Sequence, residues 1–406
     1  MRGRDPHEPH RVTTPLELLF DLTFVIAYGT AASQLAHMLA AGHIGAGIGG
    51  FAFASFAIAW AWINFAWFAS AYDVDDWGYR LLTMLQMVGV LILALGLPAM
   101  FASFEHEDIN NRVMVLGYVI MRVPMVAQWV RAGRQDPRRR ASSRIYILSI
   151  VVSQIVWCIL VLFPIRIGTF FLLASVPLAL ELAGPLIAER KYGGTPWHPH
   201  HIAERYSLVV IIALGESIVG TMAALAAVIG PEGPGWSLEV AVLGLAGTAL
   251  TFGMWWIYFV IPSGEMLAAY RERSFGWGYG HMLVFASIVA VGAGLHVAAF
   301  AIEHHNALSL PKTLLCTAVP LAIYTAMIFA LYSAVTRSYD PSHKWMALGS
   351  AIPIVASVVM ACASVGLAWC VAVLALSPWS MVVGYELVGH RHNERMIREA
   401  AEARRD

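Results

Sequence analysis

The sequence has 406 residues, of which 59% are hydrophobic and only 13% carry a charged side chain. Soluble domains usually contain about a quarter charged residues, and one soluble core cannot hide this much apolar surface. The 26 Lys and Arg residues balance 26 Asp and Glu residues, so the chain shows neither a nucleic-acid-binding footprint nor an acidic tail. The composition therefore excludes an ordinary soluble protein and indicates a chain embedded in lipid.

Twelve apolar runs are each long enough to cross the hydrocarbon core of a membrane as a helix, which takes about 20 residues. Hydrophobicity within each run is continuous and not alternating, so we expect helices and not the strands of a barrel. In chain order the predicted spans are 16–40, 45–70, 80–103, 112–130, 145–163, 167–188, 204–229, 237–261, 280–301, 312–335, 344–363 and 366–388. The predicted fold is an all-α integral membrane protein with about twelve transmembrane helices.

Basic residues are concentrated in alternate connections between these spans. If the N-terminus is cytoplasmic, the outward connections contain three basic residues: Arg112, Arg166 and Lys312. Except for Arg122, which lies within a span, all other Lys and Arg residues are then cytoplasmic, the side that retains positive charge. The sequence therefore predicts a cytoplasmic N-terminal arm (1–15) and a cytoplasmic C-terminal tail (389–406). The six arginines from 131 to 144 are interpreted as an anchor of this orientation, next to anionic lipid.

The first apolar run is long and contains Glu17 and Asp21, which do not suit the core of a cleavable signal peptide. We therefore expect the first helix to remain in the mature protein. All four cysteines fall inside predicted spans, so they are interpreted as small buried hydrophobic residues and not as a disulfide or zinc framework.

Three short matches occur in the same order in both halves of the chain. The matched segments are Leu22–Gly29 with Leu208–Gly215, Trp62–Phe65 with Trp256–Phe259, and Trp77–Tyr79 with Trp277–Tyr279. Each match alone is within chance for apolar helices, but their common order favours a duplication. Six spans return the chain to its starting side, which predicts two parallel six-helix repeats, 16–188 and 204–388, joined by a cytoplasmic linker, 189–203.

Ionisable residues inside the spans are the first functional candidates, because each costs about 2.5–3.5 kcal/mol on insertion scales. Arg122 lies near the middle of the fourth span, and Glu216 lies near the middle of the seventh, roughly 18 Å from its inner end. We expect the two to form a central ionisable pair whose carboxyl carries a proton. A static ion pair between helices is the alternative interpretation.

A second group of polar residues is predicted at the cytoplasmic edge of the spans. Its members are Glu17, Asp21, Glu181, His201, Glu204 and Arg205. The first two are four residues apart and share one face of a helix. We expect an inner gate or an ion-entry site. The alternative is that these carboxylates extend to water or pair with Arg205 and Arg11.

The remaining candidates are polar residues that would line a cavity: Ser217, His37, Gln34 and His296. A lone histidine in a span is more often a hydrogen-bonded packing residue. His198, His200 and His201 lack a regular ligand spacing with a supporting carboxylate, so no metal is expected. No phosphate loop, nucleophile elbow or zinc-protease helix is present, so we expect neither catalytic residues nor a cofactor.

Two stretches resemble signatures of a known family. The segment LELLFDLTFV, from Leu16 to Val25, and the segment HIAERYSLVVIIALGESI, from His201 to Ile218, are similar to those of the bacterial low temperature requirement A (LtrA) family. The sequence departs from the family pattern at Tyr206, where phenylalanine is expected, and at Ser207, where glycine is common. The resemblance implies a bacterial membrane protein that is linked by name to growth in the cold. It supplies no substrate.

The family pattern points to nine residues: Glu17, Phe20, Asp21, His201, Glu204, Arg205, Gly215, Glu216 and Ser217. The two six-helix repeats and the central ionisable pair predict a secondary transporter of the bacterial cytoplasmic membrane, coupled to protons through Glu216. The expected partners are membrane lipid and a small solute or ion, without nucleic acid. The alternatives are an ion channel built from two six-helix repeats, a membrane-embedded enzyme, and a membrane sensor or scaffold that transports nothing.

Overall fold

The computed structural model describes residues 1–6, 8, 11–229, 235–303, 305–336 and 342–389. Within these ranges the chain contains helices and turns but no strand. The helices are α1 (Pro15–Ala40), α2 (Ile44–Tyr72), α3 (Trp77–Ser103), α4 (Arg112–Gln135), α5 (Arg140–Leu162), α6 (Ile167–Lys191), α7 (Pro199–Ile229), α8 (Leu238–Phe259), α9 (Ser263–Ala269), α10 (Ser274–Ile302), α11 (Leu310–Thr336), α12 (Ser342–Cys362) and α13 (Leu367–Gly384). Most of the predicted C-terminal tail lies outside the described residues.

Twelve of these helices are long and apolar enough to cross a membrane. The prediction of an all-helical chain with twelve long apolar helices is therefore confirmed. Two local differences remain. The short helix α9 was not predicted, and α7 begins at Pro199, five residues earlier than the apolar run, so His201 belongs to a helix and not to a linker. Hydropathy detects apolar residues and not backbone conformation, so it misses a polar first turn.

The first compact unit comprises residues Met1–Gln34 and Ile48–Arg205. In it α3 packs on α4, α4 on α5, and α5 on α6. Glycines bring the backbones of α3 and α4 together, since a Cβ atom on Gly117 would lie 2.2 Å from the backbone nitrogen of Leu93. A Cβ atom on Gly96 would lie equally close to the backbone nitrogen of Met114. Small residues at such crossings are typical of helices that associate in membranes.

The second compact unit comprises residues Leu35–Gly47 and Tyr206–Asp406. In it α10 packs on α11, α11 on α12, and α12 and α8 on α13. Its most buried span is α10, whose Gly294 lies against α11. A Cβ atom on Gly294 would lie 2.4 Å from the carbonyl oxygen of Cys316. Glycine is therefore required by the close approach of backbones in this unit as well.

The start of α3 is fixed by Asp76, which lies just outside the span. Its Oδ1 accepts a hydrogen bond from the backbone N–H of Tyr79 at 2.9 Å, the usual role of an N-cap. The guanidinium of Arg131, near the end of α4, donates to both carboxylate oxygens. The hydrogen bond from Arg131 lowers the pKa of Asp76 to about 2. Asp76 thus joins the start of one helix to the end of the next.

We expect this carboxylate to make the stability of the protein depend on pH under acidic conditions. Its pKa is lowered from 3.8, so its stabilisation is complete above pH 3.8 and is lost as the pH falls toward about 2. Thermal unfolding in detergent, followed across this range, should show a smaller pH dependence for Asp76→Asn, which keeps an N-cap side chain without the charge. At neutral pH, the free energy of unfolding of Asp76→Ala should be about 1 kcal/mol lower than that of Asp76→Asn. Identical pH profiles for wild type and Asp76→Asn would contradict this.

The glycine contact between α3 and α4 gives a second prediction. Gly117→Leu should lower the free energy of unfolding by about 1–3 kcal/mol, because the added side chain separates two touching backbones. Gly168→Leu is the control, since nothing lies within 4 Å of a Cβ atom there. Thermal unfolding of both variants in the same detergent tests the difference. Equal midpoints for the two variants would show that the close approach has no role in stability.

Candidate functional site

The site begins at the first turn of α1. Thr14 precedes Pro15, the first helical residue, and its hydroxyl oxygen accepts the backbone N–H of Glu17 at 3.3 Å. In return, the Oε2 atom of Glu17 accepts the backbone N–H of Thr14 at 2.8 Å. This reciprocal pair is a capping box, and proline suits the first helical position because no hydrogen bond is needed from it. The local sequence therefore fixes Glu17 at the helix start.

The first turn of α7 also has a capping side chain followed by a proline. His198 precedes Pro199, and its Nδ1 accepts the backbone N–H of His201 at 3.2 Å. The other ring nitrogen of His198 donates to the carbonyl oxygen of Glu8 at 2.9 Å. His198 is thus an N-cap whose ring is neutral, and its burial lowers its pKa. His201 occupies the third helical position, as Glu17 does in α1.

Arg205 connects the two helix starts. It follows His201 by four residues, as Asp21 follows Glu17, so each helix presents an i, i+4 pair. The Nη1 atom of Arg205 donates to Glu17 Oε1 at 2.9 Å. Its Nη2 and Nε atoms donate to the two oxygens of Asp21 at 2.6 Å and 3.1 Å. The guanidinium fork thus binds one carboxylate bidentately and a second one at its side, and it is fully buried.

Helix α2 supplies the wall of the site. The indole N–H of Trp62 donates to Asp21 Oδ1 at 2.7 Å. The guanidinium carbon of Arg205 lies 5.7 Å from the ring centre of Trp62 and 5.8 Å from that of Phe65. Aromatic faces attract a guanidinium and exclude water from it. Asp21 therefore has both oxygens satisfied in a dry environment.

Three more ionisable groups complete the site. Arg11 lies 3.6 Å from both Glu17 Oε1 and Asp73 Oδ2. The Nε2 atom of His201 lies 3.2 Å from Glu17 Oε1, and its Nδ1 has no hydrogen-bond partner among the described residues. Burial, with the nearby charge of Glu17, raises the pKa of Asp73, which lies after the end of α2. We call the whole set the Arg205 cluster; its members are Arg11, Glu17, Asp21, Trp62, Asp73, His201 and Arg205.

The formal charges of the Arg205 cluster do not cancel. Three carboxylates face two guanidinium groups, so the cluster carries one negative charge when His201 is neutral and none when His201 is protonated. All of its ionisable members are at least 93% buried. The cluster can therefore hold the start of α1, the end of α2 and the start of α7 together, and it has room for one further proton. No metal-binding group of His, Cys, Asp or Glu occurs within the described ranges.

The structure brings together four of the six residues predicted at the cytoplasmic edge: Glu17, Asp21, His201 and Arg205. Glu204 is half-buried and makes no hydrogen bond with a described residue. Glu181 was expected at the edge, but it lies near the middle of α6, because that helix continues to Lys191. Glu17 and Asp21 do not extend to water. Glu17 pairs with Arg205 and Arg11, and Asp21 pairs with Arg205.

Arg122, for which Glu216 was the expected partner, forms an ion pair with Glu181 of the same unit. Its Nη2 atom donates to Glu181 Oε2 at 3.1 Å and to the hydroxyl oxygen of Tyr118 at 2.5 Å. Tyr118 in turn donates to Glu181 at 2.6 Å, and Gln154 of α5 donates to the other carboxylate oxygen at 3.3 Å. Arg122 Nε and Gln154 Oε1 have no partner among the described residues. This network joins α4, α5 and α6 at mid-span.

Glu216 lies in the second unit and makes no hydrogen bond or ion pair with a described residue. Only 8% of its surface is exposed. It lies where α7 and α10 touch, since a Cβ atom on Gly292 would be 2.6 Å from the carbonyl carbon of Glu216. The hydroxyl of the next residue, Ser217, is buried and also unpartnered among the described residues. A carboxyl and a hydroxyl thus adjoin a glycine contact in the middle of a span.

The other predicted cavity residues have different surroundings. His37 is exposed and its ring lies 5.0 Å from that of Phe300. His296 is half-buried on α10, four residues beyond Gly292, and lies near enough to His37 for an electrostatic interaction. Gln34 is half-buried. The pair of histidines and Glu216 are therefore all found in the second unit, and Gln34 in the first.

Three members of the Arg205 cluster were not among the predicted site residues: Arg11, Trp62 and Asp73. Of the three, only Trp62 has a signal that could have been used. A tryptophan inside a span needs a partner for its indole N–H. Arg11 and Asp73 lie just beyond the ends of spans, where charged residues are common, and only the fold shows that both are buried.

A sequence model described as the bacterial low temperature requirement A protein (LtrA) matches residues 12–378. The chain belongs to this family. An uncharacterized protein of Rhizobium meliloti is 26% identical to it over 298 residues, which is 68% of this chain and 67% of the relative. No solved structure matches the chain.

The family assignment bears directly on the site. The two LtrA-like stretches are the start of α1 and the first half of α7. They contribute Glu17, Asp21, His201 and Arg205 to the Arg205 cluster, and they also contain Glu216. The stretches that carry the resemblance are therefore the two helix segments that meet at a buried ionic site within the first unit.

Removing Arg205 should destabilise the LtrA-family fold severely. Arg205→Gln leaves Asp21 buried without a basic partner and leaves Glu17 with Arg11 alone as its guanidinium partner, which costs about 3–5 kcal/mol. Thermal unfolding and the monodisperse fraction in detergent measure this loss. Arg112→Gln, at an exposed position, should be close to neutral. The double variant Asp21→Asn, Arg205→Gln should recover part of the stability, because it removes one of the unpaired charges.

A stable Arg205→Gln protein, equal to Arg112→Gln in its unfolding midpoint, would show that the charges of the cluster do not need each other. A double variant no more stable than Arg205→Gln alone would show that the loss comes from packing and not from charge.

Proposed function

We propose that this LtrA-family chain is a secondary transporter of the bacterial cytoplasmic membrane that couples the movement of a small solute or ion to protons. The observation that carries the proposal is Glu216, a buried carboxyl in the middle of α7 that makes no ion pair or hydrogen bond with a described residue. An uncompensated charge costs several kcal/mol inside a membrane. A proton or a bound cation is what neutralises such a group.

The surroundings of Glu216 support this role. The next residue, Ser217, has a buried hydroxyl without a partner among the described residues, and the contact with Gly292 brings the backbones of α7 and α10 together at that level. Arg122 is unsuited to proton transfer, because a guanidinium stays protonated, and its contacts hold Glu181 in an ion pair beside Tyr118. We therefore assign proton carriage to Glu216 alone and interpret the Arg122 network as a brace between helices.

In this proposal the Arg205 cluster is the inner gate. It connects the starts of α1 and α7 with the end of α2, and rearranging it requires breaking charge-assisted hydrogen bonds together. Breaking several such bonds together favours a change between discrete arrangements, as expected for the closing element of a transporter.

The orientation and the repeat belong to the proposal too. The concentration of Lys and Arg in alternate connections supports cytoplasmic ends. The neighbour order of α3, α4, α5 and α6 recurs in α10, α11, α12 and α13, which supports two parallel six-helix repeats. The proposal needs no catalytic residue and no cofactor.

Proton movement in proteoliposomes tests the function. Vesicles that contain a pH-sensitive dye would be challenged with a panel of amino acids, sugars, organic cations and alkali-metal ions. We expect one class to drive proton movement through the wild type, Glu216→Gln to abolish it, and Glu204→Gln, on the same helix, to retain it. Proton movement that survives in Glu216→Gln would remove Glu216 from the mechanism. Single-channel currents would favour the ion channel.

A hydrophobic carbodiimide provides a test that needs no substrate, because it reacts with protonated carboxyls in apolar surroundings. We expect mass spectrometry to find the adduct on Glu216 and not on Glu17, which is ion-paired. Labelling of Glu17 with none on Glu216 would contradict the assignment.

A further inference from the structure

Helices α4 and α5 form an open groove on the surface of the first unit, with a volume of about 410 Å³. Its apolar walls are one face of each helix, formed mainly by Val119, Val123 and Val126 on α4, and by Val151, Ile155 and Ile159 on α5. These walls are open to the surroundings, since 62% of Val123 and 55% of Ile155 is exposed. The groove therefore runs along the two helices and accepts an elongated apolar molecule.

Each wall of the groove continues to exposed arginines at the same end. On α4, steps of four residues lead from Val126 to Arg134, and on α5 the same face leads back from Val151 to Arg144 and Arg140. All three arginines are exposed, and none makes an ion pair with a described residue. Arg140 uses only its Nε atom, which donates to the carbonyl oxygen of Gly133.

The charge at this end is uncompensated. Asp136 is the one acidic residue between 131 and 144, against six arginines. Among the six, Arg131 is taken up by Asp76, and Arg139 donates to backbone carbonyl groups after α6. The connection between α4 and α5 is therefore held in place. Arg134, Arg140 and Arg144 remain available to an anion on the two helices, and the sixth arginine, Arg138, is exposed in the turn between them.

The distances suit one molecule that occupies both features. Arg134 lies about 12 Å beyond Val126 along α4, and Arg144 lies about 10 Å from Val151 along α5. One leaflet with its headgroup region is about 20–22 Å thick, which compares with about 18 Å from Arg134 to Arg122 along α4 and about 21 Å from Arg144 to Cys158 along α5. An acyl chain that starts at the arginines therefore enters the groove, which a free phosphate ion cannot fill. The floor of the groove includes Arg122 and Gln154, each with one polar atom that has no partner among the described residues.

We propose that the α4–α5 groove is a binding site for one anionic phospholipid, with its phosphate at Arg134, Arg140 and Arg144 and an acyl chain along the groove. Basic pockets between helices at the cytoplasmic side are known to suit such headgroups. The chain then covers the polar floor, so the lipid seals the Arg122 network from the side. This assignment does not depend on whether the protein is a transporter.

Native mass spectrometry of the full chain in detergent tests the headgroup part. We expect the wild type to retain phosphatidylglycerol about tenfold better than phosphatidylcholine with the same chains. The triple variant Arg134→Gln, Arg140→Gln, Arg144→Gln should lose this preference. The matched control, Arg112→Gln, Arg166→Gln, Lys312→Gln, removes three charges elsewhere and should keep it. Equal loss in both triple variants, or no preference in the wild type, would overturn the proposal.

Cys158 tests the acyl-chain part with all arginines intact, because it is an exposed wall residue of the groove. With Cys316 and Cys362 changed to serine, a fluorophore on Cys158 should be quenched more by phosphatidylglycerol with brominated chains than by brominated phosphatidylcholine. Val123→Trp with Ile155→Trp fills the groove and should abolish this difference. Equal quenching by the two lipids, or displacement of phosphatidylglycerol by excess inorganic phosphate, would show that the groove does not select the lipid.

Discussion

It is costly to bury a guanidinium at the start of a long apolar helix. The contacts that offset the burial of Arg205 determine how α1, α2 and the start of α7 pack in the first unit. A buried charge is tolerated only when it is paired and its remaining hydrogen-bonding atoms are satisfied. Arg205 meets that condition through Glu17, Asp21 and the aromatic wall of α2. Its carboxylate partners belong to α1 and its aromatic wall belongs to α2, so the buried site exists only where α1, α2 and the start of α7 meet.

The cluster also depends on local backbone chemistry. In both α1 and α7 a capping side chain precedes a proline, and the third and seventh helical positions carry the ionic groups. The cap fixes where the helix begins, and the helical repeat then fixes the direction of both side chains. A shift of one residue in either helix start would rotate the pair by about 100° and remove it from the site. The two caps therefore determine where the ionic side chains of α1 and α7 lie.

Much of the fold could be predicted from the sequence, because apolar runs of spanning length are a direct record of lipid as solvent. The grouping of Glu17, Asp21, His201 and Arg205 was also predictable, since two of them share a helix face and all four occur in family-like stretches. The partner of Arg122 was not. Glu181 and Glu216 both lie at mid-span, and depth along a helix does not tell which neighbour is adjacent. Trp62 was missed although its indole N–H needs a partner, and Asp73 was missed because burial of a residue near a span end depends on packing.

Glu17 uses one carboxylate oxygen to hold the backbone of Thr14 and the other to hold Arg205. The fastening of the helix and the neutralisation of the charge are therefore two duties of one side chain, separated only by which oxygen is engaged. Any event that draws this carboxylate toward a new positive partner also withdraws an acceptor from the first turn of α1. A change of charge next to Glu17 therefore weakens the hydrogen bond between Glu17 and the backbone of Thr14, and so loosens the first turn of α1.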